Sequence, residues 1–284
     1  MPVYDRGYTH WEPSGRRAYP AWWVIARRGI TEPLKKRWLL LLVLASWVPA
    51  IVKGGIIYFK LKAGNLADIA VGNWTSIDPE GFLAFIEGQR FAVFVILAIV
   101  GAGLIATDRR DNGLSLYFSR PLNLGHYVGG KALIVVFYYF LVTLFPVYAL
   151  CLFAFLIAPD ATGLDMLLLT PLRATAYCAL AGVSISLVLL AFSSAGKRSI
   201  FVMVWWAIMV SGTETLSAVA EGLGKDNLQV LNFLGQYHNA GAPLFAAPAR
   251  LGVSPVASFI ALLVWTLGAV WLLRRQIRPV EVVS

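Results

Sequence analysis

Long apolar runs, each bounded by polar or charged residues, recur along the whole chain. Six of them reach the length needed to cross a membrane, since about 20 helical residues, rising about 1.5 Å each, cross a hydrocarbon core of about 30 Å. The pattern therefore predicts six membrane-spanning helices. Their approximate bounds are Trp38–Phe59, Phe82–Thr107, Ala132–Ile157, Leu169–Phe192, Ile200–Ala218 and Pro255–Leu273.

The second span is extended past its most apolar part. Residues 91–107 alone would form a helix only about 25 Å long, too short for the bilayer. Starting the span near Phe82 gives it sufficient length and places Glu87 and Arg90 near its outer end. Within it, Gly101 and Gly103 lie in a small-residue stretch that favours close helix packing.

The polar segments between the runs differ in charge. The N-terminal arm (1–37), the loop 108–131, the loop 193–199 and the tail 274–284 together carry 17 basic and 6 acidic residues, against 6 basic and 8 acidic on the other side. Because Lys and Arg are retained on the cytoplasmic side, both termini are predicted to be cytoplasmic. The predicted fold class is an all-α membrane protein with a cytoplasmic arm (1–37), a six-helix transmembrane domain (38–273) and a cytoplasmic tail (274–284).

Composition agrees with this interpretation. The chain is 58% hydrophobic and 14% charged, against about 45–50% and about 25% in soluble domains. The net charge is +9, but the basic residues flank the spans instead of forming one domain, so no nucleic-acid partner is expected. Cys151 and Cys178 lie inside apolar runs, where we expect them to pack as small side chains. The arm lacks the features of a signal peptide, so we expect it to stay on the mature protein.

The end of the arm, Arg17–Arg37, mixes tryptophan with basic residues. Trp22 and Trp23 lie near Arg27 and several other cations, a composition typical of an amphipathic helix in the cytoplasmic membrane interface. The alternative is a plain basic flank with aromatic anchors. Pro33 would separate an in-plane helix from the first span.

The segment between the fifth and sixth spans, 219–254, contains the apolar stretches LQVLNFLG and APLFAAPARLG. Each is too short to span a membrane but apolar enough to lie in the outer leaflet or re-enter it. Proline and glycine at that depth are tolerable only when they are buried against protein.

The loop between the second and third spans, Thr107–Lys131, reads TDRRDNGLSLYFSRPLNLGHYVGGK. Apolar and polar residues interleave in it, which predicts a short helix on the cytoplasmic side. The loop resembles that of the ABC-2 family of transporter permeases, in which a pattern like GTLELLLSRP precedes a glycine-lysine pair that opens the next span. The matching residues are Asp111, Gly113, Leu114, Leu116, Ser119, Arg120 and Pro121, then Gly130 and Lys131, while Leu122 completes the predicted helix. Residues 115–118, SLYF, depart from the family pattern.

The resemblance implies a function. In the family this loop is a coupling helix, here Gly113–Leu122, which docks on a separate cytoplasmic ATPase and transmits its closure to the spans. The chain would be the permease subunit of an ABC exporter in the plasma (inner) membrane of a prokaryote, paired with a second permease protomer, identical or different, and with two copies of the ATPase. The second and fifth spans would lie along the substrate path. The partner would bind ATP and Mg²⁺, and this chain would hold no cofactor, with membrane lipids around it.

One motif points elsewhere and is rejected. Gly125–Lys131, GHYVGGK, matches the first seven positions of the phosphate-binding loop G-x-x-x-x-G-K-[ST]. Ala132 replaces the hydroxyl that would hold Mg²⁺, and the segment precedes a membrane span and follows no strand. We therefore expect no ATP hydrolysis, and no enzyme activity, in this chain alone.

Two charged side chains are expected within the spans, where a charge costs about 2.5–3.5 kcal/mol at a helix centre and usually has a partner or a task. Lys53 and Glu214 both fall in the outer third of their spans, so we expect an intramembrane charge pair, with a direct transport role for Glu214 as the alternative. Glu87 and Arg90 are expected to form a solvated salt bridge at the outer rim. The three histidines lie apart, so no metal site is expected.

Two other classes of function remain open from the sequence. A membrane scaffold or assembly subunit without transport would need nothing that the sequence lacks. An intramembrane enzyme would need paired carboxylates, a His/Asp pair or a metal triad at one depth, and no such set is visible. The pattern of residues does not indicate a substrate.

Overall fold

The computed structural model describes residues 19–62, 76–114, 123–158, 163 and 165–277. These residues are almost entirely helical and include no strand. The main helices are α1 (Ala21–Leu34), α2 (Arg37–Ala45), α3 (Val48–Lys62), α4 (Pro79–Gly88), α5 (Arg90–Gly101), α6 (Gly103–Arg110), α7 (Leu124–Val142), α8 (Leu144–Ile157), α9 (Thr170–Ala195), α10 (Ser199–Gly222), α11 (Phe233–Phe245) and α12 (Pro255–Gln276), with a π-helical turn at Asp165–Leu169 and a 3₁₀ helix at Asp226–Leu231.

Six helical segments are long and apolar enough to cross a membrane, which confirms the predicted number of spans. The first three each join two helices across a short break, the fourth joins the π-helical turn to α9, and the fifth and sixth are α10 and α12. Their bounds are Arg37–Lys62, Arg90–Arg110, Leu124–Ile157, Asp165–Ala195, Ser199–Gly222 and Pro255–Gln276. Length and composition together fit a multi-pass membrane protein.

The second span differs from its prediction. It begins at Arg90, because the predicted continuous helix from Phe82 is broken at Gln89 and the preceding residues form the separate helix α4. The predicted start is wrong because the predicted span stopped at Thr107 and therefore had to begin earlier to reach the required length. The helix continues through Arg110, and its 21 residues extend about 31 Å without the residues of α4.

The third span also begins earlier than predicted, at Leu124 instead of Ala132. The intervening residues include Gly125–Lys131, the segment that resembles a phosphate-binding loop, and all of them are helical. Their backbone N–H groups therefore belong to the first turns of α7.

Helix α1 packs against the third span. At Gly130 of that span, a β-carbon would lie 2.8 Å from the Trp22 carbonyl oxygen and 3.1 Å from Ile25, so only glycine permits the contact. The Tyr138 hydroxyl donates a hydrogen bond to the Ile30 carbonyl oxygen at 2.8 Å. The end of the arm is thus a helix fastened to the third span, and its position in the membrane interface stays a prediction.

Helix α11 lies between the spans. Its first residue, Phe233, packs edge-to-face against Trp206 of the fifth span and Trp265 at the midpoint of the sixth. Four residues later, the Tyr237 hydroxyl donates to Ser184 Oγ of the fourth span at 2.8 Å. The two apolar stretches that were predicted to lie in the outer leaflet or re-enter it are therefore partly buried against protein: Gly235 and Gly241 are buried, whereas Pro243 is exposed.

The fourth span is the most buried of the six and the fifth the least. Close packing of the second span on the fourth depends on Gly101, where a β-carbon would lie 2.3 Å from Leu189 Cδ2.

Cys151 and Cys178 are both buried and free. Large apolar side chains on the outward faces of the spans remain exposed, as lipid contact would require.

Candidate functional site

The loop that carries the family resemblance is only partly described. Asp111 is exposed, and the hydrogen bond from Arg110 at 2.8 Å lowers the pKa of Asp111. Asn112 has a φ of 53°, which asparagine tolerates, and Gly113 and Leu114 are helical. The other predicted coupling residues lie outside the described residues: Leu116, Ser119, Arg120, Pro121 and Leu122. The coupling helix therefore stays a prediction.

The two ends of this loop are tied together by Asp108, Tyr127 and Lys131, which we call the inner clamp. Lys131 Nζ lies 2.9 Å from Asp108 Oδ2, and the Tyr127 hydroxyl donates to the same oxygen at 2.6 Å. Lys131 also donates to the Leu104 carbonyl oxygen at 2.9 Å. The side chains of Asp108 and Lys131 are largely buried. The end of the second span and the start of the third are therefore held by a buried ion pair.

Further contacts fasten the same end of the second span to the fourth and sixth. Arg109 donates to the Ser194 carbonyl oxygen and, at 3.3 Å, to Gln276 Oε1. Ser193 Oγ accepts hydrogen bonds from the backbone of Ile105 and Ala106 and donates to Ala102 O at 2.8 Å. These bonds satisfy backbone groups where α5 gives way to α6. Movement of the loop ends would therefore act on four spans at once.

On the opposite side of the spans, five charged or titratable side chains form what we call the outer cluster: Glu87, Arg90, Glu214, His238 and Arg250. Glu87 is its centre. Its Oε1 lies 2.6 Å from His238 Nδ1 and 3.3 Å from Arg90 Nη2, and its Oε2 lies 2.6 Å from Arg250 Nη1. Arg90 also reaches Glu214 at 3.7 Å. The cluster joins α4, the second and fifth spans, α11 and the connection to the sixth span.

Glu87 and Arg90 form the predicted i,i+3 pair, but its setting differs from the prediction. The Glu87 side chain is only 5% exposed, so this is not a solvated rim salt bridge. Burial acts to raise the pKa of Glu87, but the hydrogen bond with His238 and the charges of Arg90, His238 and Arg250 outweigh it, and the pKa lies below its ordinary value. Glu87 is therefore a buried carboxylate whose charge is balanced by surrounding cations.

His238 links α11 to the segment that follows it. Its Nδ1 faces Glu87 Oε1, and its Nε2 lies 3.0 Å from the Pro248 carbonyl oxygen. Both ring nitrogens face oxygen atoms, so the two contacts together fix the orientation of the ring. Asn239 beside it accepts from the backbone N–H groups of Arg250 and Leu251. These bonds hold the connection between α11 and the sixth span.

A cavity of about 40 Å³ lies beside the outer cluster. Glu87 and Arg90 line it together with aromatic side chains that include Tyr177, Trp206 and Tyr237. Trp206 Nε1 is buried and has no hydrogen-bond partner in the described part of the chain. Since one water needs about 10–15 Å³ measured in this way, the cavity has room for about three water molecules.

The predicted pair between Lys53 and Glu214 is not among the ion pairs of the described residues. Lys53 Nζ donates to the Gly81 carbonyl oxygen at 2.7 Å and lies 4.3 Å from the Phe82 ring centroid. Glu214 instead faces Arg90 and is 45% exposed. The prediction is wrong because similar depth in two spans does not place the side chains on facing sides of their helices.

Exchanging the two charges, Lys53→Glu with Glu214→Lys, is therefore expected to bring no rescue. The Glu214→Lys change alone should be the milder of the two, because its ion pair with Arg90 is long, at 3.7 Å. Lys53→Glu should be far more damaging, since a carboxylate would face a carbonyl oxygen and the negative face of an aromatic ring. Thermal unfolding of the two single variants and the double variant measures the coupling. A double variant more stable than Lys53→Glu by over about 1 kcal/mol would contradict this geometry.

Sequence reasoning missed the partners of both polar centres. His238 and Arg250 were not connected with Glu87, which lies 151 and 163 residues earlier in the chain. The available signal was the presence of His238 and Asn239 inside an otherwise apolar stretch. For the inner clamp, the signal was an acid ending one span and a lysine inside the next.

Within the described residues, no group of three or more His, Cys, Asp or Glu side chains is arranged to hold a metal ion. The inner clamp and the outer cluster are built from the ion pairs and hydrogen bonds described above, one at each end of the second span. No protein-family model matches this chain, and no curated protein matches it.

Proposed function

We propose that this chain is the permease subunit of an ABC exporter, with both termini in the cytoplasm of a prokaryotic cell and the spans in its plasma membrane. The observation that carries the proposal is the loop sequence from Asp111 to Lys131, which contains Gly113-Leu114, Ser119-Arg120-Pro121 and Gly130-Lys131 in that order. Six apolar spans and the excess of basic residues on the side of the termini support it.

The inner clamp gives the proposal a physical route for coupling. In it, a separate ATPase binds ATP and Mg²⁺ and moves the loop, which is held at both ends by Asp108 and Lys131. When the loop is displaced, the ends of the second and third spans therefore move with it. Arg109 extends the connection to the ends of the fourth and sixth spans. Two packings of these helices, exchanged by the ATPase cycle, would give alternating access.

The outer cluster closes the other end of the same helices. The second span carries Arg90, which meets Glu214 of the fifth span at 3.7 Å. In the proposed dimer, identical or mixed, these two spans border the substrate path, and substrate leaves on the outer side. At 3.7 Å the pair is the longest contact of the outer cluster, which suits a contact that opens in each cycle.

Replacing Arg120 with glutamate tests the coupling role directly. If the loop docks on the ATPase, reversing this charge should weaken association by about tenfold or more, because an interfacial charge pair would become a repulsion. The measurement is co-purification of the chain with the proteins encoded beside it, and the ATP turnover of any complex in lipid nanodiscs.

Lys197→Glu is the matched control, since Lys197 is exposed in another loop on the same side of the spans. It should leave both readings near those of the natural chain. Full ATP turnover and co-purification by Arg120→Glu would contradict the coupling role. If no ATPase co-purifies with the natural chain at all, the scaffold alternative replaces the transporter.

A further inference from the structure

A cleft opens between the third, fourth and sixth spans on the side of the termini. Its volume is about 420 Å³, within the range of small-molecule sites. Asn123 and Leu124 at the start of the third span form one end, and Arg274 in the last turn of the sixth span lies opposite. The cleft therefore begins where these spans meet the membrane surface.

The two ends of the cleft differ in chemistry. Away from the surface its walls are the apolar side chains of Val128, Leu187 and Val270. Leu187 lies eight residues before the end of the fourth span, which places it about 12 Å from that end. The cleft thus has a polar, cationic rim and an apolar interior, as a site for an amphiphile requires.

Arg274 has no carboxylate within ion-pair distance among the described residues, and the neighbouring Arg275 lies 5.4 Å from the ring of Trp271. A cation at the rim of an apolar cleft matches a lipid phosphate, and basic pockets between spans bind anionic headgroups. A zwitterionic lipid would bring a second cation to the same place. Charge complementarity therefore favours an anionic lipid.

We infer that this cleft is a binding site for one anionic phospholipid. The phosphate group accepts hydrogen bonds from Arg274 at the rim, and an acyl chain lies along Val128, Leu187 and Val270. The bound lipid fills the space between the third and sixth spans and so holds their ends on the side of the inner clamp. This inference does not rest on the proposed transporter function, because the cleft is formed by this chain alone and lipid binding can be measured without an ATPase.

Arg274→Gln and its control Arg275→Gln test the headgroup contact in the purified full-length chain. Native mass spectrometry in detergent, with phosphatidylglycerol or phosphatidylcholine added, measures the bound lipid. The natural chain and Arg275→Gln should retain phosphatidylglycerol in preference to phosphatidylcholine. Arg274→Gln should bind phosphatidylglycerol about tenfold more weakly, because a charge-assisted hydrogen bond is lost.

Gly125→Leu and its control Gly129→Leu test the apolar part of the cleft. Gly125 lines it and Gly129, on the same helix, does not. At both positions a β-carbon would meet no atom within 4 Å, so neither change should disturb the packed core. The leucine side chain of Gly125→Leu would project into the cleft, so this variant should no longer retain the lipid. Gly129→Leu should retain it, because its side chain lies outside the cleft.

Several results would overturn the inference. Equal retention of the two lipids by the natural chain would show that charge does not select the occupant. Unchanged phosphatidylglycerol binding in both Arg274→Gln and Gly125→Leu would exclude this cleft as the site. Displacement of the lipid by an equal concentration of sn-glycerol 3-phosphate would show that the acyl chain contributes nothing.

Discussion

Glu87→Gln is expected to lower the free energy of unfolding by about 3–5 kcal/mol, because the charge-assisted contacts of this buried carboxylate with His238 and Arg250, worth about 1.5–3 kcal/mol each, are lost or weakened. The substitution preserves the shape of the side chain but leaves Arg90, Arg250 and His238 without their shared carboxylate. Because those cations come from three different parts of the chain, α11 and the connection behind it should loosen first.

Thermal unfolding in detergent micelles, followed by intrinsic tryptophan fluorescence, measures this effect. Glu214→Gln is the matched control: it also removes a carboxylate next to Arg90, but one that is 45% exposed. Its expected cost is smaller, because among the described residues the ion pair of Glu214 is with Arg90 alone, at 3.7 Å. Equal losses from the two substitutions would show that the burial of Glu87 contributes nothing to its role.

The difference between the natural chain and Glu87→Gln should also depend on pH. The pKa of Glu87 is lowered from its ordinary value of 4.5 by folding, so the stabilising charge is complete above that value and is lost as the pH falls through the folded pKa. The gap in melting temperature should therefore shrink as the pH falls below about 4.5 and through the folded pKa of Glu87. A gap that persists unchanged in acid would contradict this assignment.

Asp108→Asn is expected to have the second largest effect, with about 3 kcal/mol lost in stability, because Lys131 keeps its charge in a buried site after losing the Asp108 carboxylate. The Tyr127 hydroxyl would also lose its ionised acceptor. In the proposed transporter, ATP turnover should continue while its link to transport is lost, because the two ends of the loop are no longer held together.

The double variant Asp108→Asn with Lys131→Met separates these two effects. Removing both charges leaves no unpaired buried ion, so stability should recover by more than half of the loss. Coupling should not recover, since the tie between the second and third spans is still absent. The exposed neighbours Arg110 and Asp111 provide the control: Asp111→Asn should leave stability unchanged. Recovery of coupled transport in the double variant would show that the clamp only supports folding.

The sequence predicted most of the fold because a lipid solvent imposes a simple rule. A span needs an unbroken apolar run of known length, and that rule identified all six spans. It failed at the start of the second span, where Gly88 ends one helix and Arg90 begins the next, with Gln89 between them. Apolarity alone does not distinguish one long helix from two short ones.

The polar centres were harder to predict for a geometric reason. Counting residues gives the depth of a side chain in the bilayer, but its partner is set by the direction it faces around the helix axis. Lys53 and Glu214 share a depth and yet have other neighbours, whereas Glu87 and His238 meet across 151 residues of chain. The loop resemblance was local and therefore visible from sequence, although most of its residues lie outside the described structure.

The position of α11 between the spans has a consequence for biogenesis. This helix carries Gln236, His238 and Asn239, all buried in the folded chain, and bare lipid offers no partners for such side chains. It therefore cannot be released into the bilayer alone as a span is. Its seat is formed by the fourth, fifth and sixth spans, and the sixth is synthesised after it. In a membrane, packing of α11 would therefore be completed only after the sixth span has been inserted, because that span closes the protein around a helix made before it.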